Sequence, residues 1–218
     1  MGEVGGGKGG DRPPKRIVAE GYDAVAGRYL TWSATISDAS RARYTRALLD
    51  GLPEGAHVLE LGCGAGVPAT RALAARFAVT GVDISARQIE LACEMVPGAT
   101  FIQSDMTALE FPPESFDGVA AFFSLIHVPR EEQPPLLARV ASWLRPGGLF
   151  VATMGVRDAE SDIEDDWLGA PMYFSHYDAA TNRRLVQESG LRLLSANEET
   201  QEEDGQPVPF LWIVAQKP

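Results

Sequence analysis

Glu60, Gly62, Gly64 and Gly66 stand in the stretch VLELGCGAG at 58–66, an apolar run that ends in an acid and then bares the main chain at every second position. Glycine lets a ligand approach backbone N–H groups, but ordinary tight turns use it too, so the cluster takes its meaning from its neighbours. Asp83 closes the next apolar run, AVTGVDIS, and Asp105 with Met106 closes a third, ATFIQSDM. A carboxylate about twenty residues beyond a glycine turn can accept hydrogen bonds from both hydroxyls of a ribose, and a further one can accept from an exocyclic adenine amine. Together these groups suit adenosine. Proton chemistry has two candidates: His127 in SLIHVP, and His176 in MYFSHYD, flanked by Tyr173 and Tyr177 with Trp167 and Met172 nearby.

The elements that must position these residues alternate in type. Ala, Leu and aromatic residues at helical spacing, among them Tyr22, Val25, Tyr29 and Trp32, predict two helices over 17–50, broken near 35–38. HVLELG reads as a buried strand, the glycines as a turn, and VPATRALAARF as a helix with Pro68 in its first turn. AVTGVDIS, ATFIQSDM, FDGVAAFFSL and LFVATM read as further strands, with helices over ARQIELACEMV and 136–144 between them, the latter stopped by Arg145-Pro146-Gly147-Gly148. Strands and helices at this pitch imply a parallel sheet with helices on both faces. The segment 156–177 is long, acidic and aromatic without a clear period, and reads as a lid insertion. A helix capped by Asp178 and ended by Gly190 follows, then two strands joined at Asp204-Gly205 as an antiparallel hairpin.

Composition narrows the partners. The chain has 218 residues, 45% of them hydrophobic, and fits one domain over 17–218 preceded by a flexible arm at 1–16. Cys63 and Cys93 form no CxxC pair, so neither a disulfide framework nor a zinc site is suggested, and a cytoplasmic setting is the default. No apolar run reaches the roughly eighteen residues a membrane span needs, and no signal-peptide core is seen. Met-Gly at the start meets Gly6 where a myristoylation signal wants Ser or Thr. A net charge of −11 repels a polyanion unless a basic stripe overrides it. Arg12, Lys15 and Arg16 fall in the arm, and Arg41, Arg43 and Arg46 read as a solvated helix face, so nucleic acid is disfavoured. The sequence carries no signal for an oligomeric state.

Through ELGCGAG, VTGVDIS, IQSDM, FDGVAAFFSLIHVP and LRPGG, the chain from about Ile17 to its end resembles the class I S-adenosylmethionine-dependent methyltransferases. The resemblance implies an α/β fold with a Rossmann-like seven-stranded, mostly parallel sheet, helices on both faces and a C-terminal antiparallel hairpin. It implies S-adenosylmethionine as cofactor. Gly62 and Gly64 would pass under its methionyl part, with Glu60 ordering the turn and the cofactor's amine. Asp83 would hold the ribose, Ile84 an adenine face, Asp105 the adenine amine and the Met106 N–H a ring nitrogen. The main chain around Phe122 would accept from the ammonium, and Tyr22 or Tyr29 would reach the carboxylate.

Methyl transfer needs mainly alignment of nucleophile, methyl and sulfur, with no metal. His127 is the first candidate for a base, the alternative being a histidine that braces the pocket, and His176 is the second. Trp167, Met172, Tyr173 and Tyr177 are candidates for an acceptor wall. Cys63 reads as a small residue within the turn. The stretch FFSL stands where related DNA and protein-amide methyltransferases carry an Asn-Pro-Pro-Tyr type tetrapeptide, which favours a small-molecule acceptor. Two alternatives stay open. One is an S-adenosylmethionine-binding module with a structural or non-methylating role. The other is a NAD(P)-dependent oxidoreductase, whose GxGxxG fingerprint the evenly spaced glycines do not match.

Overall fold

A computed structural model describes residues 12–36 and 39–218. Four short apolar strands, β1 (His57–Leu61), β2 (Ala78–Asp83), β3 (Thr100–Gln103) and β4 (Phe116–Ala121), form the parallel half of a sheet. With β5 (Leu144–Met154), β8 (Arg192–Glu203) and β9 (Gln206–Gln216) it is a 7-stranded sheet in the order β3-β2-β1-β4-β5-β9-β8, β9 running antiparallel. Successive side chains on a strand point to opposite faces. Leu59, Leu61, Val119, Ala121, Phe150 and Ala152 therefore pack on one side, against α5 (Gln133–Trp143) and α6 (Ala179–Glu188). Val58, Ala120, Leu149 and Val151 pack on the other, against α2 (Ala39–Gly51) and α3 (Ala69–Ala74). Burial on both faces explains why these strands read as continuous apolar runs.

The seven-stranded fold class is as expected, and so are the break between α1 (Pro14–Ser33) and α2, the Asp178 cap, whose carboxylate accepts from the Thr181 N–H at 2.7 Å, and the Gly190 stop. Boundaries differ in places. Lys15 and Arg16, assigned to the arm, lie in α1; the rest of the arm up to residue 11 is outside the described residues. Pro68 precedes α3 as its cap residue instead of entering its first turn. The helix expected from 136 starts at Gln133, because a first turn accepts prolines whose missing N–H has no helical partner. The third strand ends at Gln103, and Asp105 instead caps a short 3-10 turn at Met106–Ala108.

The largest difference is at 156–177. It is a second, two-stranded antiparallel sheet of β6 (Ala159–Trp167) and β7 (Ala170–His176), turning at Leu168 and Gly169, both with positive φ. Its period is invisible in the sequence because β6 is exposed along almost its whole length, so its acidic residues carry no apolar alternation. β7 supplies the apolar face: Met172 and Tyr173 are buried against Ile17 and Val18 of α1. No helix among the described residues is long and apolar enough to cross a membrane.

Candidate functional site

The strand order reverses between β1 and β4, and in open α/β sheets ligands bind beyond the strand ends at that switch. A cavity lies there, floored by Gly62, Gly64, Asp83 and Ile84 and roofed by Lys15, Val18, Tyr22 and Tyr29 from one face of α1. Gly62 has φ +74°, and a Cβ on it would lie 2.2 Å from Ser124 Cβ, so no other residue fits. Ser124 holds this approach by donating its hydroxyl to the Leu61 carbonyl at 2.7 Å. Beneath the turn, Asp83 accepts the Gly64 N–H at 2.8 Å and the Ser85 N–H at 2.9 Å. Asp83 thus builds the glycine turn while lining the cavity. Cys63 is buried in the turn, and burial pushes its thiol well above the usual range, which leaves it unreactive.

Glu60 and Asp83 are buried carboxylates, 3% and 8% exposed. Burial raises Glu60 to about 7, although Thr70 donates a 2.6 Å hydrogen bond to it, and raises Asp83 to about 6. A carboxyl whose folded value is raised stabilises the chain below its unfolded value and loses that contribution as pH rises through the folded one. For Glu60 the window runs from 4.5 to about 7. His127 works the other way: burial lowers it from 6.5 to about 4, so its contribution is present above 6.5 and is lost as pH falls. Glu60→Gln should therefore gain stability relative to the parent chain between pH 5 and pH 8, by up to about 3 kcal/mol at about 1.4 kcal/mol per unit. Urea unfolding of the unliganded proteins at both pH values checks this. A stability difference that does not change with pH would contradict the upward shift of the buried Glu60 carboxyl.

At the far end of the cavity, Asp105 accepts from the Thr107 N–H at 2.8 Å and faces the Lys15 ammonium at 2.8 Å. Burial alone would raise this carboxyl, but Lys15 and Thr107 together hold it below the usual range. Lys15 also donates to Glu132 at 2.5 Å, clamping the start of α1 over the cavity. Met106 lines the same end, and Phe122 the exit of β4. Sequence reasoning missed Lys15 because it counted the residue with the arm; the i, i+3, i+7 spacing of Lys15, Val18 and Tyr22 was the available signal.

Beyond β4 a larger cleft of about 590 Å³ opens, sharing Tyr22, Tyr29, Phe123 and His127 with the first cavity. These residues are the partition between the two spaces. Phe123 is held at φ +54°, a backbone region costly for an aromatic residue, with its N–H donated to Thr153 Oγ1 at 3.2 Å. His127 is buried with both ring nitrogens engaged: Nδ1 lies 2.8 Å from the Tyr173 carbonyl and Nε2 lies 2.9 Å from the Tyr22 hydroxyl. A carbonyl only accepts, so Nδ1 carries the proton. The neutral ring then accepts at Nε2, and the Tyr22 hydroxyl donates to it. Burial pushes that hydroxyl well above its ordinary value, so it keeps its proton.

This geometry changes several expectations. Tyr22 has its single hydrogen committed to His127, so it is not placed to donate to a carboxylate. Of the expected acceptor wall, Trp167 lines the cleft, whereas Met172 and Tyr173 are buried against α1 as core, and Tyr177 lies under the Arg130 guanidinium at 5.0 Å. α1 is the reason, since its Ile17 and Val18 cover Met172 and Tyr173. His176 lines the cleft with Nδ1 2.5 Å from the Arg157 carbonyl. Arg41 was read as solvated but lines both the cleft and the space beside Glu60, its guanidinium 4.8 Å from the Phe123 ring centre. Trp32, Phe174 and Phe210 complete the aromatic wall, and Trp32 Nε1 donates to Asp204 at the tip of the β8–β9 hairpin at 3.0 Å.

Residues 58–148 match the family model described as "Methyltransferase domain", a stretch that contains the glycine turn, Asp83, Asp105 and His127. The matched stretch is similar to a methyltransferase domain. The chain is similar to 27-O-demethylrifamycin SV methyltransferase of Amycolatopsis mediterranei, 35% identical over 159 residues, 63% of this chain and 57% of that protein. It is also similar to trans-aconitate 2-methyltransferase of Paracidovorax citrulli, 39% identical over 120 residues, 52% of this chain and 45% of that protein. The chain spans about half the length of the curated relatives it matches. Magnesium protoporphyrin IX methyltransferase of Synechocystis PCC 6803, solved with bound SAM, superposes with a TM-score of 0.72 over 97% of this chain and 100% of that one. At 17% identity this likeness is one of fold. The family match ends at 148, so β6, β7, β8 and β9, which supply much of the cleft, lie outside it.

Proposed function

We propose that the chain binds S-adenosylmethionine in the cavity at the ends of β1 to β4 and transfers its methyl group to a small molecule seated in the adjoining 590 Å³ cleft. The observation that carries this reading is the pair of buried carboxyls, Glu60 and Asp83, around a glycine turn that opens through an aromatic partition onto a second space. The donor set fits the cofactor. Buried carboxyls raised to about 7 and about 6 gain from a cation and from hydroxyl donors, and the cofactor offers an ammonium and a ribose diol.

In this reading Asp83 holds the ribose, Ile84 and Met106 flank the adenine, and Asp105 accepts from its amine beside Lys15. Glu60 orders the turn and faces the ammonium, while Gly62 and Gly64 let the methionyl part lie on the main chain. The cofactor carboxylate falls to Arg41, whose charge already acts on Glu60, with Tyr29 beside it. When bound, the cofactor supplies an electrophilic methyl group for in-line displacement. The chain's own part is to exclude water and align the acceptor, through Tyr22, Phe123 and the walls formed by Trp32, Trp167 and Phe174. His127, neutral and doubly hydrogen-bonded, braces the partition; His176 is left as a polar group on the acceptor side. A small-molecule acceptor and a cytoplasmic setting belong to the same reading and rest on the net charge of −11 and the cysteines left unbridged.

The test is incubation of the full chain with methyl-labelled S-adenosylmethionine and a panel of hydroxylated and amino-bearing metabolites. Label transferred to at least one acceptor, lost in Asp83→Ala, is the expected outcome. Tight cofactor binding without transfer to any member would favour a non-methylating role instead.

A further inference from the structure

The direction of the hydrogen bonds at the partition bears on which acceptors the cleft selects. The chain runs from the Tyr22 hydroxyl to His127 Nε2 and from His127 Nδ1–H to the Tyr173 carbonyl, at 2.9 Å and 2.8 Å. A main-chain carbonyl cannot reverse its role, so the whole relay has one polarity. Tyr22 Oη spends its hydrogen inward and is left with lone pairs. Tyr22 lines both the cofactor cavity and the acceptor cleft. Its ring is fixed there by edge-on contacts to Tyr29, His127 and Trp167, with centroids at 5.3, 5.4 and 5.4 Å.

Resting on the methyl-transfer reading, we propose that Tyr22 is a specificity-determining residue that selects acceptors bearing a hydrogen on the nucleophilic heteroatom, a hydroxyl or an N–H amine. His127 is the positioning residue that sets its polarity. An incoming O–H or N–H donates to Tyr22 Oη, which fixes the heteroatom at the partition with a remaining lone pair turned toward the methyl; as the heteroatom–methyl bond forms and the methyl–sulfur bond breaks, the heteroatom's proton leaves to solvent through the cleft. A fully substituted heteroatom meets the same lone pairs with no hydrogen to give, so an O-methyl product is released and a tertiary amine is refused. A site built to pair a substrate hydrogen discriminates strongly against the analogue lacking it.

The probes are phenol and its O-methyl counterpart anisole, titrated by NMR into the full chain loaded with S-adenosylhomocysteine. Phenol should bind about five- to tenfold more tightly than anisole, as one such hydrogen bond contributes. Tyr22→Phe should erase the preference, with S-adenosylhomocysteine affinity measured alongside. His127→Phe should also lose it, because the freed hydroxyl turns its hydrogen into the cleft, and His127→Gln, which has both an acceptor and a donor, should restore part of it. In the free protein, the nitrogen-15 resonances of His127 should show a protonated Nδ1 and an unprotonated Nε2. The inference is overturned by the opposite tautomer, by a phenol preference that survives Tyr22→Phe, or by phenol binding no better than anisole, including no binding of either. A large loss of S-adenosylhomocysteine affinity in Tyr22→Phe would assign the hydroxyl to the cofactor and also overturn it. Failure of the parent chain to bind S-adenosylhomocysteine at all is a different result, one that removes the methyl-transfer reading itself.

Discussion

Asp83→Ala is expected to weaken S-adenosylmethionine binding at least about 100-fold in an equilibrium titration. Two hydrogen bonds from a ribose diol to a charged acceptor, at about 1.5–3 kcal/mol each, set that lower bound. A second effect adds to it. Asp83 also accepts the Gly64 and Ser85 N–H groups, so its removal leaves buried donors unpaired and loosens the turn on which the methionyl part rests. Asp83→Asn separates the two effects, since an amide oxygen can keep one N–H while the charge is gone. It should bind more weakly than the parent chain and more tightly than Asp83→Ala. If Asp83→Ala binds the cofactor within about threefold of the parent chain, the carboxylate is only a structural brace of the turn.

Gly62→Ala carries the other large effect, on stability and binding together. The backbone at Gly62 is left-handed, and the added Cβ would lie 2.2 Å from Ser124 Cβ, a contact that backbone movement alone can relieve. Left-handed strain of about 1–2 kcal/mol and overpacking of about 1–3 kcal/mol sum to about 2–5 kcal/mol lost in urea unfolding. Moving the turn to relieve the contact would displace Gly64 from Asp83, so cofactor affinity should fall with stability. Gly98 provides the control, because a Cβ there meets nothing within 4 Å. Gly98→Ala should leave both properties near those of the parent chain. Equal stability of the two variants would contradict the close approach of β1 and β4 at their ends.

What the sequence made legible follows the periodicity of burial. Strands covered on both faces kept continuous apolar runs, so β1, β2 and β4 and their order of use could be read from VLEL, AVTGVD and FDGVAA. The cavity residues were legible because each sits at a strand end where a turn residue or an acid interrupts such a run. The acceptor cleft was not. Its walls come from α1, the β6–β7 hairpin and the tip of the β8–β9 hairpin, brought together from distant parts of the chain. β6 is solvent-facing and therefore has no apolar code. On β7, Met172, Tyr173 and Phe174 form one aromatic-rich word in the sequence, but α1 covers Met172 and Tyr173, whereas Phe174 reaches the cleft. Arg41 and Lys15 illustrate a further blind spot, since a charged residue beside other charged residues looks solvated until the fold shows what lies over it. The role of His127 depended on hydrogen-bond polarity, which only the positions of Tyr22 and the Tyr173 carbonyl disclose.

In the proposed reading, the cavity at the ends of β1 to β4 takes the adenosine and methionyl parts of one cofactor. Thermal unfolding of the full chain with S-adenosylmethionine, S-adenosylhomocysteine or NAD(P) decides this, since a ligand held by the folded state alone raises the midpoint, the more so the further its concentration exceeds its Kd. The midpoint should rise with S-adenosylmethionine and with S-adenosylhomocysteine, stay unchanged with NAD(P), and lose its rise in Asp83→Ala. Stabilisation by NAD(P) alone would contradict it.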